Sequence, residues 1–311
     1  MISLRRHVLT LVAVFLALAV GVVLGSTSVA TSIRDAVVER EETTAARLEA
    51  SQDDLAAERL AVDRLDSLAG DLTPAVVDGR LDGRPVLTIV APGASDEDVS
   101  AAREVIDAAG GIDAGRVTLT DKAVDPEADA ELQALVANLP IGTAPSADAD
   151  LGTQLGTALG RAGLLRAEDA EPHLEDDDRE TVLTTLADAG IIGYEPGTLR
   201  PGQLALVVTG PRDEESTGVR VAALARTLDG EGAGAVVAVR TGDSGGRDAV
   251  SILRSSAEED VSTMDDAGTE AGRLATTLAL AEQLDGGQGD RERGIENRER
   301  GRRNGATGRN R

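Results

Sequence analysis

The residues best suited to chemistry gather in EPHLEDDD, Glu171 to Asp178, where His173 stands among Glu171, Glu175, Asp176, Asp177 and Asp178. An imidazole beside carboxylates is a donor set for a hard or borderline divalent cation, with His173, Glu175 and Asp177 as the candidate ligands. The spacing is not that of an EF-hand loop. The plainer reading is a solvated acidic loop whose last carboxylates favour the N-terminus of a helix beginning near Arg179. Soft metal ions prefer thiolates and thioethers, and the chain offers only Met1 and Met264 and no cysteine. GDSGG, Gly242 to Gly246, matches the core of the nucleophile motif of trypsin-like proteases. That mechanism needs a histidine base and a buried aspartate. Only His7 and His173 exist, and His7 adjoins the apolar N-terminal run. Between AVVAVRTG and RDAVSILRS, GDSGG reads as a strand-to-helix turn. No catalytic residue is assigned, and the chain reads as non-enzymatic.

Three glycine-bearing loops, APGAS, VTGPRDEES and RTGDSGG, each follow a predicted strand. Such loops line the ligand-binding edge of an open parallel sheet. None carries GxGxxG or GxxxxGK[ST], so neither a dinucleotide nor a nucleoside triphosphate site is supported. GEGAG, Gly230 to Gly234, precedes a strand and is in the wrong order for a phosphate loop. The scaffold reads as Rossmann-like and empty, with no cofactor assigned.

Composition narrows the classes further. With one Phe, one Tyr and no Trp, the core must be built from Val, Leu, Ile and Ala. It lacks the aromatic anchors of sugar and nucleobase pockets. The absence of cysteine removes disulfides, iron–sulfur clusters, zinc-thiolate sites and thiol nucleophiles together. The net charge is −24. The tail from Asp285 is net +3 and Arg5 with Arg6 adds two, which leaves residues 30–284 at −29. A body this acidic repels nucleic acid and anionic headgroups. No nucleic-acid partner is expected.

The elements that must position these residues begin with an apolar run, Val8 to Leu24, of 17 residues without a charge. That is the short end of the range for a membrane-spanning helix and longer than most signal-peptide cores. Length favours a retained anchor, while Ser28-Val29-Ala30 has the small-x-small pattern of a cleavage site. Arg5 and Arg6 before the run place residues 1–7 in the cytoplasm and the bulk of the chain outside. Ala13, Ala17, Gly21 and Gly25 recur every four residues and form a face where a second helix can approach closely. From Thr31 to Ala69 there is no Gly or Pro, and the segment reads as a helical stalk ended by Gly70 and Pro74. It would reach about 57 Å. Leu48, Leu55, Val62 and Ala69 keep a seven-residue spacing, a weak coiled-coil signal because the companion seam of Ser51, Glu58 and Leu65 is mostly polar; a helix packed along its own domain or a solvated stalk fits as well. A membrane-associated homo-oligomer joined through these residues is the expected partner state.

Beyond Pro74 the pattern becomes α/β over residues 75–284. PVLTIVAP, RVTLT, IIGYE, QLALVVTG and AVVAVRTG read as strands. Helices are predicted over Asp96–Ala109, Pro126–Leu139, Leu151–Leu165, Arg179–Ala189, Val219–Leu228, Arg247–Ser255 and Gly272–Leu284. The alternation predicts a largely parallel sheet with helices on both faces. Residues 285–311 have no apolar periodicity and read as disordered.

The opening MISLRRHVLTLVAVFLALAVGVVLGS resembles the N-terminus of the mycobacterial copper transport protein B family of actinobacteria. The likeness continues through PVLTIVAPGASDEDV, GRVTLT, AGIIGYE, ALVVTG and VSTMDDAGTEAGRLATTLALAEQL. It covers nearly the whole chain except the Arg/Gly tail. The resemblance implies a membrane-associated envelope protein of copper transport or copper homeostasis, with outer-membrane association. Copper enters on that ground alone. It also implies, through corynebacterial relatives, a link to daughter-cell separation and hence to an envelope or division protein as partner. No ligand motif carries over from the family.

Overall fold

Leu87, Ile89 and Ala91 point to one side of their strand and Val86, Thr88 and Val90 to the other, and all six are buried. A strand apolar on both faces must lie inside a sheet covered on both sides. The computed structural model describes residues 4–143, 145–146, 148–210, 215–240, 246–256 and 261–284, with side-chain surroundings for all of these except 4–6 and 24–46. The chain divides into two compact units, Met1–Leu65 and Asp66–Arg311.

The first unit is helix. It forms most of α1 (Leu4–Val77). The large aliphatic side chains from Val8 to Val23, and Phe15, are more than half exposed. Among the described residues, no helix is long and apolar enough to cross a membrane. The helix does not stop at Gly70 and Pro74 as the sequence suggests. Pro74 lies in the final turn, where its missing N–H removes a single bond. The end is set instead by Gly79, which adopts a left-handed φ of +69°.

The second unit takes in those last turns. Val77 and Leu81 are fully buried, and the Leu81 N–H donates to the Ala109 carbonyl at 2.9 Å. Asp66 accepts the Ala271 N–H at 3.0 Å and so satisfies a free donor at the start of the last helix. The body follows as β1 (Pro85–Val90), α2 (Asp96–Ala108), β2 (Ile112–Leu119), α3 (Asp121–Val124), a 3₁₀ turn (Pro126–Ala128), α4 (Asp129–Val136), α5 (Leu151–Gly163) and α6 (Asp176–Asp188). It continues with β3 (Ile192–Tyr194), β4 (Leu204–Thr209), α7 (Glu215–Glu231), β5 (Ala235–Val239), α8 (Ala249–Ser255), β6 (Ser262–Met264) and α9 (Glu270–Leu284).

The strands form one sheet in the order β3-β2-β1-β4-β5-β6. All neighbours are parallel except β2 with β3, so the sheet is mixed rather than wholly parallel. One apolar layer joins Leu87, Ile89, Val207 and Val237 to α4, α5, α6, α7 and α8. The other joins Val86, Val90, Leu206 and Val236 to α2, α9 and the end of α1.

Several boundaries differ from the sequence reading. The α6 helix starts at Asp176, not Arg179, because three carboxylates in its first turn suit the positive helix end. The predicted helix from Pro126 divides into the 3₁₀ turn and α4; Asp125 accepts the Glu127 N–H across that entry. The β6 strand was not predicted, since Ser262-Thr263-Met264 is half-buried and has no apolar run. The tail 285–311 and Gly242–Gly245 of GDSGG lie outside the described residues.

The most extensive packing between helices is that of α5 on α7. A Cβ on Gly152 would lie 2.4 Å from the Arg220 carbonyl oxygen, and one on Gly156 2.7 Å from Thr227 Cβ. Gly160 meets Glu231 in the same way. We expect Gly156→Ala to destabilise fragment 66–284 by about 2 kcal/mol, because overlap outweighs the roughly 1 kcal/mol gain in helix propensity. Urea unfolding followed by circular dichroism measures this; an unchanged or raised midpoint contradicts the packing.

Candidate functional site

In an open α/β sheet the ligand crevice lies at the carboxyl ends of the strands, where the order reverses. Here the chain leaves β1 for β2 on one side and returns to β4 on the other, so the reversal falls between β1 and β4. The two loops that would flank a crevice touch. A Cβ on Gly210 would sit 1.8 Å from the Gly93 carbonyl oxygen, so these backbones are in direct contact. The α2 helix follows, and its first turn carries Asp96, Glu97 and Asp98. Dinucleotide-binding folds place a pyrophosphate at this helix end, and three carboxylates repel one. The loops after β1 and β4 thus meet at Gly93 and Gly210, beside an acidic first turn of α2.

An ion pair spans the same edge. Asp98 is only 2% exposed, and Arg240, just after β5, donates from Nε at 2.8 Å and from Nη2 to its two oxygens. The hydrogen bond to Asp98, then its charge, raises the Arg240 guanidinium above its ordinary pKa. Gly268 makes room: a Cβ there would lie 2.8 Å from Arg240 Cζ. On the other side of α2, Arg116 of β2 donates to Asp96 at 2.7 Å. The helix is held to the sheet from both flanks.

A cleft of about 690 Å³ opens beside the edge strand β3, lined by Arg103, Asp113, Arg116, Thr118, Tyr194 and Glu195 among others. It exists because α2 and α9 cover β1, β2 and β4 to β6, while Gly193 of β3 has nothing within 4 Å of a notional Cβ. Arg103 pairs with Asp113, and Arg116 bonds both Asp96 and Thr118. Tyr194 Oη reaches Thr184 at 3.1 Å and donates to Glu180 at 3.3 Å. These groups offer hydrogen bonds to a polar ligand.

The residues singled out in the sequence are dispersed. His173 Nε2 donates to the Glu231 backbone carbonyl at 2.8 Å, and Nδ1 lies 3.7 Å from the Glu231 carboxylate. That carboxylate also receives Arg161 Nε at 3.4 Å. His173 therefore fastens its loop to the end of α7. Glu175 is the N-cap of α6, and Asp177 lies exposed in the first turn. His173, Glu175 and Asp177 are not drawn into a ligand set: among the described residues no three His, Cys, Asp or Glu side chains form a group able to hold a metal ion. Ala13, Ala17 and Gly21 are exposed on α1, as are Leu48, Leu55 and Val62. Gly25 lies in α1 but outside the residues with described surroundings. Met264 is half-buried against the α9 side of the core.

The Asp98–Arg240 clamp was missed, and no sequence signal marks a pair 142 residues apart. Removing the guanidinium leaves a buried carboxylate without its partner. Arg240→Ala should cost about 3 kcal/mol of unfolding free energy, and adding Asp98→Asn should recover part of it. Denaturant melts of the two variants test this; equal loss in the single and double variants contradicts it.

Comparison with known proteins gives a match to the family described as "Copper transport outer membrane protein, MctB" over residues 1–290. The copper transporter MctB of Mycobacterium bovis is 35% identical, over 92% of this chain and 94% of the relative. That of Mycobacterium tuberculosis gives the same figures, and that of Mycobacterium leprae is 34% identical over the same shares. A family match across almost all of the folded body, with relatives aligned end to end, means that the chain belongs to the MctB family.

Proposed function

We propose that this chain takes part in copper transport as a membrane-associated envelope protein, with copper as its cargo and not a resident cofactor. The observation that carries this reading is the family match over residues 1–290, joined by relatives named copper transporter along nearly their whole length. In this reading Val8–Leu24 crosses a membrane once, with Arg5 and Arg6 on the cytoplasmic side and the α/β domain beyond it. The exposed apolar side chains from Val8 to Val23 support it, since lipid would cover them. The family description adds the outer membrane as the associated layer. One helix encloses no pore, so passage of an ion requires several copies. Ala13, Ala17, Gly21 and Gly25 supply a face for close helix contact. The segment 31–69 acts as the stalk.

Copper(I) has no soft ligands in the domain beyond Met264. The acidic body draws cations to its surface without fixing them. A second reading rests on the contact of the loops after β1 and β4: a non-enzymatic single-pass scaffold in cell-envelope assembly or daughter-cell separation. The open polar cleft beside β3 would then meet an envelope or division protein.

Deletion in the source bacterium separates the two. The copper reading expects a several-fold rise in cell copper and growth arrest at lower copper, both restored by the intact chain. Unchanged copper with unseparated daughter cells favours the scaffold. N-terminal sequencing of membrane-purified protein that starts at Thr31 sinks the single span. Fragment 66–284 should bind copper(I) no better than an equally acidic protein, and stoichiometric sub-micromolar binding in a competition assay would show resident copper instead.

A further inference from the structure

The side chains of Leu48, Leu55, Val62 and Leu65 are 60, 48, 61 and 67% exposed within the Met1–Leu65 unit. Large aliphatic side chains repeated along one helix face and left in water mark a surface that another helix covers. In heptad terms Leu48, Leu55 and Val62 fill successive a positions, and Ser51, Glu58 and Leu65 the d positions. The spacing continues through Ala69, Leu72 and Val76.

The flanks of this seam indicate what covers it. Asp54 stands at a g position and Arg59 at the following e position, and both are exposed. In a parallel two-stranded coil, a g residue faces the e residue five places further along the other helix. Asp54 and Arg59 are five apart. Two copies in register would therefore join Asp54 of each to Arg59 of the other, and the pair forms twice.

We propose that the occupant of this face is a second copy of this chain, running parallel and in register from Leu48 to Leu65. The direction rests on the single-span reading above: two copies inserted the same way in one membrane run parallel. Glu58 at d then meets its own counterpart, which weakens the coil and makes it an exchanging contact rather than a permanent one.

The chain has no native cysteine, so single substitutions report contacts without background. Full-length Leu48→Cys, Leu55→Cys and Val62→Cys, oxidised with diamide in membranes, should each form disulfide-linked dimers at least about tenfold faster than Asp53→Cys on the opposite face. In the Leu55→Cys background, Asp54→Arg should slow linkage several-fold, and Asp54→Arg with Arg59→Asp should restore it. Equal rates at positions 53 and 55, or linkage only between mixed Leu48→Cys and Val62→Cys chains, overturns the parallel pair. So does a double swap that fails to restore linkage while circular dichroism shows helix retained. Sedimentation of the same samples scores the membrane reading separately. Linked dimers in the soluble fraction would refute the span and leave the pairing standing.

Discussion

The fold depends on close approach. With one Phe, one Tyr and no Trp, no wide ring is available to fill space between layers. A core of Val, Leu, Ile and Ala reaches interior density only if helices and strands come nearer to one another. Glycine sits where they do. Gly152, Gly156 and Gly160 let α5 lie on α7, while Gly163 and Gly202 admit the Leu87 side chain and backbone. Gly218 faces the Arg247 carbonyl, and Gly272 faces that of Asp266. At each of these a Cβ would overlap its neighbour. The same habit brings the loops after β1 and β4 into contact at Gly93 and Gly210.

What remains at that edge is electrostatic fastening. Asp98 and Arg240 join α2 to the end of β5 across the intervening β4, and Arg116 joins α2 to β2. Carboxylates at the α2 N-terminus, hostile to a phosphate, are useful here as anchors for arginine. The cleft beside β3 presents hydrogen-bonding groups to solvent as well.

The sequence made the central strands plain because PVLTIV, LALVVT and AVVAV are aliphatic runs bounded by Gly or Pro, and burial on both faces requires that. Short edge strands were harder. Ile192–Tyr194 showed as a brief apolar patch, but Ser262–Met264 carries no such signal and is held by pairing with Val236–Ala238. Gly70 and Pro74 looked like a helix end, yet tertiary contacts of Asp66, Val77 and Leu81 carry the helix past them. Four-residue spacing of small side chains drew attention in the apolar N-terminus. The same spacing at 152, 156 and 160 is where the described residues place backbone against side chain. His173 attracted a ligand reading because its neighbours are acidic, but its ring nitrogen bonds to a carbonyl 58 residues away that spacing cannot reveal.

Lys122 is the single lysine among 31 basic residues. The clamps that hold α2, the α5–α7 end and the Arg254–Asp265 link therefore use guanidinium groups, which do not release a proton in any range where a protein survives. The Arg166–Asp169 pair is another such clamp. Asp169 shows the sense: its hydrogen bond from Arg166 holds its carboxyl below the ordinary value, so its contribution is present above the unfolded pKa and lost as pH falls through the folded one. The Arg166–Asp169 fastening therefore yields to acid and not to alkali.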